Sequence, residues 1–229
     1  MKLITFYAEC NLPDKPAAKS AGFDWLAAID QLELSGRAFG YETLVVTDGP
    51  TDLRGRQDWL RVGDAKALGI MQWLLEAQFA TVMHATEGDQ IVMISPDTLI
   101  ARPLDFLFGR WDVAMLTRSK PKPIVNSVIS VRPSAKVVDL WDTFGRRALT
   151  LPAESRAWGA DIDALVDVLH IRPNENTLRA RNGVAVRFLP TTGRFASVPL
   201  GAKPTRLTVP LWDFKGARKA LMPDYARLL

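Results

Sequence analysis

The chain is predicted to be α/β: a mostly parallel sheet with helices on both faces, in a single domain spanning residues 1–229. Three observations predict this. Short apolar strands alternate with amphipathic helical stretches through the first hundred residues, the pattern that builds parallel sheets. Later strands are joined by longer, irregular connections. The apolar strand Gln90 to Ile94 stops abruptly at Ser95-Pro96-Asp97, as a buried strand does when it delivers its carboxyl end to a loop. In open α/β sheets ligands sit at that end, so Asp97 is a carboxylate placed at a candidate site.

Leu3 to Tyr7 reads as the first strand, and Asn11 to Gly22, with two prolines, as a loop. Phe23 to Phe39 carries Trp25, Leu26, Ile29, Leu32 and Phe39 at helical spacing, with Gly40 as its stop signal. Thr43 to Thr47 is a second strand closed by the turn Asp48-Gly49-Pro50. Trp59 to Val62 is a short third strand. Leu68, Met71, Leu74, Leu75 and Phe79 form one helical stripe, and Gln90 to Ile94 follows as a strand. A short apolar segment and an Arg-Pro-Leu-Asp turn come at once after it.

Trp111 to Leu116 and Val125 to Val131 are strands around a Lys/Pro-rich loop, Ser119 to Pro123. Val137, Val138, Leu140, Trp141 and Phe144 mark a helix. Trp158 to Leu169 is a turn entering another, with Asp161 near its start. Val184, Val186 and Phe188 alternate as a strand, Gly201 to Pro210 is irregular, and Trp212 to Leu229 joins a glycine-containing turn to a short helix. No internal repeat, low-complexity tract or linker interrupts this order.

Composition narrows the function. The 229 residues suffice for a sizeable core, and 48% hydrophobic with 24% charged residues is ordinary for a globular protein. No run approaches the roughly 18 apolar residues that span a bilayer, and the N-terminal apolar stretch is too short for a secretory signal. The single cysteine, Cys10, excludes an internal disulfide framework and points to a reducing cytoplasm. Two histidines, His84 and His170, leave little material for a zinc site or a serine-type triad, and nothing local supports a Cys/His nucleophile pair. Net charge is +4, but unevenly spread: from Arg172 onward eleven Lys/Arg face three acids, whereas residues 1–171 carry eighteen against twenty-two. A basic C-terminal quarter suits an anionic partner, a diphosphate or a nucleic acid, although spaced charges also describe a solvated face.

Four segments in order carry a family resemblance. The stretch from Gln90 through Ser95-Pro96-Asp97-Thr98-Leu99 to Arg102-Pro103-Leu104 and Leu107-Phe108 resembles the "apolar strand, Asp-x-Asp, Thr/Val-Leu, Arg-Pro-Leu, Leu-Phe" segment of nucleotide-sugar glycosyltransferases of the GT-A fold, especially the glycogenin-like family, family 8. Ser95 stands where that motif has its first Asp. Asn126-Ser127, opening a strand, is similar to the "Asn-Ser/Thr-Gly" element, with Val128 in place of Gly. Gly159-Ala160-Asp161 resembles the "Gly-Gly-Asp-Gln" box, with Ile162 in place of Gln. Asp213-Phe214-Lys215-Gly216-Ala217-Arg218-Lys219 resembles "His-Phe-x-Gly-x-x-Lys", with Asp213 at the His position. Each box departs by one residue; their order and spacing carry the likeness. The short connections also resemble phage-encoded members of the fold, some of which glycosylate modified bases in DNA.

The resemblance implies transfer of a sugar from a nucleotide-diphosphate donor, a UDP-sugar first of all, to a hydroxyl acceptor, with retention at the anomeric carbon. It implies a nucleotide-binding half over 1–100 and a sugar and acceptor half over 101–229. Asp97 and Asp213 would bind a divalent cation, Mn or Mg, both being hard oxygen ligands. Tyr7 would stack on the base, Asp48 accept its imide N–H, and Ser95 face the ribose or a metal-bound water. Asn126, Ser127 and Asp161 would face the sugar, with Asp161 and Asn126 nearest the chemistry. Gly216, Arg218 and Lys219 would hold the diphosphate. The acceptor is a saccharide, a protein hydroxyl or a hydroxymethylated DNA base. Each residue also has a plainer reading: Tyr7 a core aromatic, Asp48 and Asn126 turn residues, Asp161 an N-cap, Arg218 and Lys219 a solvated helix face.

Two other functions compete. Ser95 and Ile162 motivate a catalytically silent binding module of the same fold. A sugar nucleotidyltransferase is the third reading, and the lack of a Gly-rich, Arg/Lys-containing phosphate loop after the first strand counts against it.

Overall fold

The computed structural model describes residues 1–9, 23–119, 122–151, 160–199 and 208–229. The expected loop 11–22, the residues Trp158 and Gly159, and most of the expected irregular segment 201–210 lie outside these.

The alternating apolar pattern resolves into β1 (Lys2–Tyr7), α1 (Trp25–Arg37), β2 (Glu42–Thr47), β3 (Leu60–Arg61), α2 (Ala65–Leu68), α3 (Ile70–His84), β4 (Ile91–Ile94) and β5 (Thr98–Ile100). There follow β6 (Val113–Thr117), β7 (Ile124–Val131), α4 (Ala135–Thr150), α5 (Ala160–Leu169), β8 (Leu178–Arg181), β9 (Val184–Pro190), β10 (Phe195–Ser197), β11 (Leu211–Asp213) and α6 (Met222–Ala226). Caps set the early boundaries. Asp24 accepts hydrogen bonds from the Leu26 and Ala27 amides and so starts α1; Asp64 does the same for α2 through Lys66 and Ala67. The stripe read from Leu68 to Phe79 is two helices rather than one, because Gly69 at φ +81° separates α2 from α3.

Eight strands form the main sheet in the order β3-β2-β1-β4-β7-β6-β9-β8. β1 pairs in parallel with β2 and β4, β2 with β3, and β6 with β9, while β7 runs antiparallel between β4 and β6. The fully buried β4 explains its uninterrupted apolar sequence. Its neighbours alternate faces: Ile4, Met93, Met115 and Phe188 pack with α3, α4 and α5, whereas Leu3, Val92, Leu116 and Leu189 pack on the side that holds Leu32 of α1. Helices therefore cover both faces, as the sequence predicts.

A second sheet of three strands, β10-β11-β5, was not legible in the sequence. Trp212 and Asp213, which the sequence groups with the terminal turn and helix, instead join Leu211 in a strand that pairs antiparallel with β5, Asp213 opposite Thr98, and parallel with β10, Asp213 opposite Ser197. Beyond it a 3-10 turn (Gly216–Leu221) and α6 return over α1, where Phe214, Met222 and Tyr225 bury against Ala28 and Leu99. No helix among the described residues is long and apolar enough to cross a membrane.

Candidate active site

The site is built at the carboxyl edge of the parallel strands. β4 ends at Ile94 opposite Val128 of antiparallel β7, so Ser127 and Asn126 run on past the end of β4. The Ser95 amide donates to the Ser127 carbonyl at 2.8 Å, tying the turn after β4 to β7. Pro96 and the turn then aim Asp97 back over the edge. The Phe214 amide donates to the Asp97 carbonyl at 2.9 Å, which brings the C-terminal segment to the same place.

Three ionisable side chains meet there almost without solvent: Asp97 is 5% exposed, Asp213 1% and Lys219 6%, while Asp161, 2% exposed, lies beside Asn126 of β7. The Ser95 hydroxyl donates to Asp97 Oδ1 at 2.5 Å, and Lys219 Nζ lies 3.2 Å from Asp97 Oδ2. The Ser197 hydroxyl donates to Asp213 Oδ2 at 3.3 Å, with Lys215 Nζ 3.6 Å from the same oxygen. Asp213 Oδ1 has no partner. Burial, and then the charge of Asp97, push the Asp213 carboxyl up to about 6. On the other side, Asn126 Nδ2 donates to Asp161 Oδ2 at 2.8 Å, and Asp161 Oδ1 has no partner. Burial raises the Asp161 carboxyl as well, against the lowering effect of that amide.

Buried polar atoms left unpaired cost on the order of 1–3 kcal/mol each. Ser127 Oγ, Asp161 Oδ1, Asp213 Oδ1 and Arg218 Nε are among the buried atoms in that condition.

The structure thus brings Ser95, Asp97, Asp213 and Lys219 together, and Asn126 with Asp161, the two groups being linked by the Ser95 amide on the Ser127 carbonyl. Gly216 takes φ +63°, the left-handed conformation that turns the chain from Asp213 toward Lys219. Arg218 lies half-buried in the same turn. Two residues stand further along the edge. Tyr7, at the end of β1, packs on Leu26, Ile29, Val45 and Leu53 and has its hydroxyl raised by burial and by the Glu9 charge. Asp48, after β2, receives the Thr51 amide at 3.1 Å and the Ala65 amide at 3.0 Å, so its carboxylate organises the turn into α2. Ile162, at the position of the family's Gln, is buried in the core cluster with Leu165 and Phe188.

Sequence reasoning missed three participants. Trp25 and Phe23 place their rings 3.7 and 5.3 Å from Lys219 Nζ, and Lys215 reaches Asp213. Trp25 had read as one more apolar position of a helical stripe; nothing local distinguishes a ring that faces a buried lysine from one that faces a leucine.

Whether these groups fit a divalent cation is decided by their chemistry. Asp97 and Asp213 offer two hard carboxylates whose mutual repulsion raises Asp213, and Asp213 Oδ1 is an unpaired, buried acceptor. A cation relieves both penalties, so the pair fits one. Among the described residues no group of three His, Cys, Asp or Glu exists, so further ligands would come from Ser95, bound ligand or water.

No family model matches the chain, and no curated protein matches it in sequence. Solved structures do match in fold. A glycosyltransferase involved in the glycosylation of the major capsid of PBCV-1 aligns over 100% of this chain and 98% of its own, with TM-score 0.57 at 9% identity. The galactosyltransferase LgtC, solved with donor and acceptor sugar analogs, aligns over 100% and 96%, with TM-score 0.57 at 10% identity. GlyE of Streptococcus pneumoniae TIGR4 aligns over 98% of this chain and 59% of its own, with TM-score 0.52 at 12% identity. The chain has the GT-A glycosyltransferase fold.

Proposed function

We propose that this chain is a glycosyltransferase that moves a sugar from a nucleotide-diphosphate donor, a UDP-sugar first of all, to a hydroxyl acceptor with retention. The observation that carries the reading is the convergence of Asp97, Asp213 and Lys219, buried and with Asp213 partly unpaired, beyond the strand edge of a glycosyltransferase fold. Residues 1–100 serve as the nucleotide half, with Tyr7 and Asp48 toward the base, and 101–229 as the sugar and acceptor half.

Departure of a nucleoside diphosphate leaves negative charge that must be met without delay. Lys219 and Arg218 supply positive charge from the turn that Gly216 permits, and Asp97 and Asp213 would hold a divalent cation, Mn or Mg. Bound there, the cation supplies Lewis-acid stabilisation of the leaving diphosphate. Asn126 fixes Asp161 through one carboxylate oxygen and leaves the other for a sugar hydroxyl. Ser127 Oγ, on the next residue of β7, is also buried and unpaired.

A second reading is favoured by Ile162, whose burial removes the amide that the resembling enzymes place near the sugar. On that reading the fold binds a nucleotide sugar without turning it over. The two differ in turnover only.

Thermal unfolding with nucleoside diphosphates and their sugars, with and without Mn, tests the first part. Uridine diphosphate at about 100 times its Kd should add roughly 2.7 kcal/mol of stability. No shift with any base retires the donor site. Release of diphosphate from UDP-sugars tests turnover. Asp161→Asn should lower it by on the order of a hundredfold, about 2.7 kcal/mol of barrier, while nucleotide binding persists. Binding without any release supports the silent module.

The acceptor that suits the basic C-terminal quarter is DNA carrying a hydroxymethylated base. The lone cysteine fits action in a reducing compartment such as the cytoplasm.

A further inference from the structure

Lys219 occupies an unusual seat. Its ammonium lies 3.2 Å from Asp97 Oδ2 and 3.7 Å from the centroid of the Trp25 ring, with the Phe23 ring at 5.3 Å. Phe23 and Trp25 meet edge to face at 5.0 Å, so the aromatic wall is itself braced. The opposite oxygen of Asp97 is taken by the Ser95 hydroxyl. Both oxygens of a carboxylate that would ligate a cation are therefore engaged, one by a positive charge belonging to the chain.

We propose that Lys219 is the resident counter-ion of Asp97, positioned by Trp25, and that a divalent cation gains Asp97 only when a diphosphate draws the lysine away. This rests on the donor-site reading above. The charge balance supports it. Asp97 and Asp213 face two ammoniums, Lys215 and Lys219, so the four side chains are neutral together. A divalent cation entering alone makes a buried site doubly positive, which a low-dielectric setting opposes. Entering with the two or three negative charges of a diphosphate, it leaves the site neutral or singly negative, and Lys219 keeps an anionic partner when it leaves Asp97. Cation and diphosphate thus bind together, each strengthening the other by the same factor.

Ser95 belongs to the same arrangement. A second carboxylate at that position would leave the cluster one charge short without metal. A hydroxyl instead orients Asp97 by donating to it, and the lysine alone suffices as counter-ion. Trp25 holds the lysine by cation–π attraction, which strengthens when the cation is desolvated. It is a positioning residue, touching neither sugar nor phosphate in this account.

The test is the affinity for Mn, read from the paramagnetic resonance of free Mn, with and without uridine diphosphate. The wild-type protein should bind Mn at least tenfold tighter with the nucleotide than without. Lys219→Met keeps the stem and deletes the charge; it should bind Mn alone at least tenfold tighter than wild type and lose most of the nucleotide dependence. Trp25→Leu should shift Mn-alone affinity in the same direction by a smaller factor, and Trp25→Phe should restore it. Because Trp25→Leu and Trp25→Phe leave both carboxylates and the lysine in place, they report even if Lys219→Met unfolds. Lys219→Met binding Mn alone no tighter than wild type overturns the proposal, as does wild-type Mn affinity indifferent to the nucleotide when the nucleotide binds. If no nucleoside diphosphate binds at any Mn concentration, the donor site itself fails, and the diphosphate-driven exchange fails with it.

Discussion

Asp213 shows how a single side chain records the demand of the site. Its carboxyl is raised from 3.8 to about 6 by burial and by Asp97. Between those values the folded protein holds a proton that the unfolded chain has released. Stability therefore falls as pH rises from about 4 to about 6, and the full penalty is present above that range. The penalty is at most about 3 kcal/mol. Asp213→Asn keeps the shape and removes the charge, so at pH 7 it should raise the stability by about 1–3 kcal/mol, and the two proteins should converge below pH 4. Unfolding curves in denaturant across pH 4–7 measure this; parallel pH profiles for the two proteins would remove Asp213 as an under-compensated carboxylate. Stability gained at a site residue is the mark of a group retained for a ligand rather than for the fold.

At the scale of elements, Gly216 decides whether Lys219 arrives. It sits at φ +63° between β11 and the 3-10 turn, and a Cβ there would meet nothing within 4 Å. The cost of Gly216→Ala is then conformational alone, about 1 kcal/mol, and the relaxed turn should move Lys219 and weaken nucleotide binding. Gly216→Asn, which tolerates the left-handed region, should recover much of the stability. Equal stability of all three proteins would show that the turn does not need that conformation. This turn was legible in the sequence, because a Gly two or three residues before basic side chains has a local signature. So were β1, β2, β4, β7 and β9, whose apolar residues run or alternate over a few consecutive positions. The small sheet was not. β11 is three residues, Leu211-Trp212-Asp213, and gains its identity only from pairing with β5 more than a hundred residues earlier. β8, with Leu178 exposed and arginines around it, looks nothing like a buried strand, since it is an edge strand paired with β9 on one side. In the site the carboxylates could be read because strand ends and ordered motifs announce them. Trp25 could not, because its partner is set by the return of α6 across α1.

For the whole molecule, the question is what the uneven charge does. The basic C-terminal quarter is partly spent within the fold: Arg179 pairs with Glu175, Lys215 with Asp213, Lys219 with Asp97 and Arg227 with Asp224. Arg172, Arg181, Arg187, Arg194 and Arg218 have no acid partner among the described residues, and Arg181 and Arg187 lie on the edge strand β8 and on its neighbour β9. A DNA acceptor would use such arginines as phosphate contacts, each releasing a counterion. Affinity for duplex would then fall with salt at a log–log slope of about 0.9 per contact, so three to five contacts imply a slope of about 2.7 to 4.5. Arg181→Ala or Arg187→Ala, if it removes one contact, should lower the slope by about 1 and weaken all sequences alike. A small-nucleotide site has no such slope with duplex. Titration of labelled duplex at several salt concentrations reads the slope, and sugar transfer onto hydroxymethylated against unmodified DNA reads the acceptor. Binding that ignores salt, together with no transfer, removes DNA from the account. The proposed donor site stands apart from that outcome, because Asp97, Asp213 and Lys219 are buried whereas Arg181 is exposed on the edge strand β8.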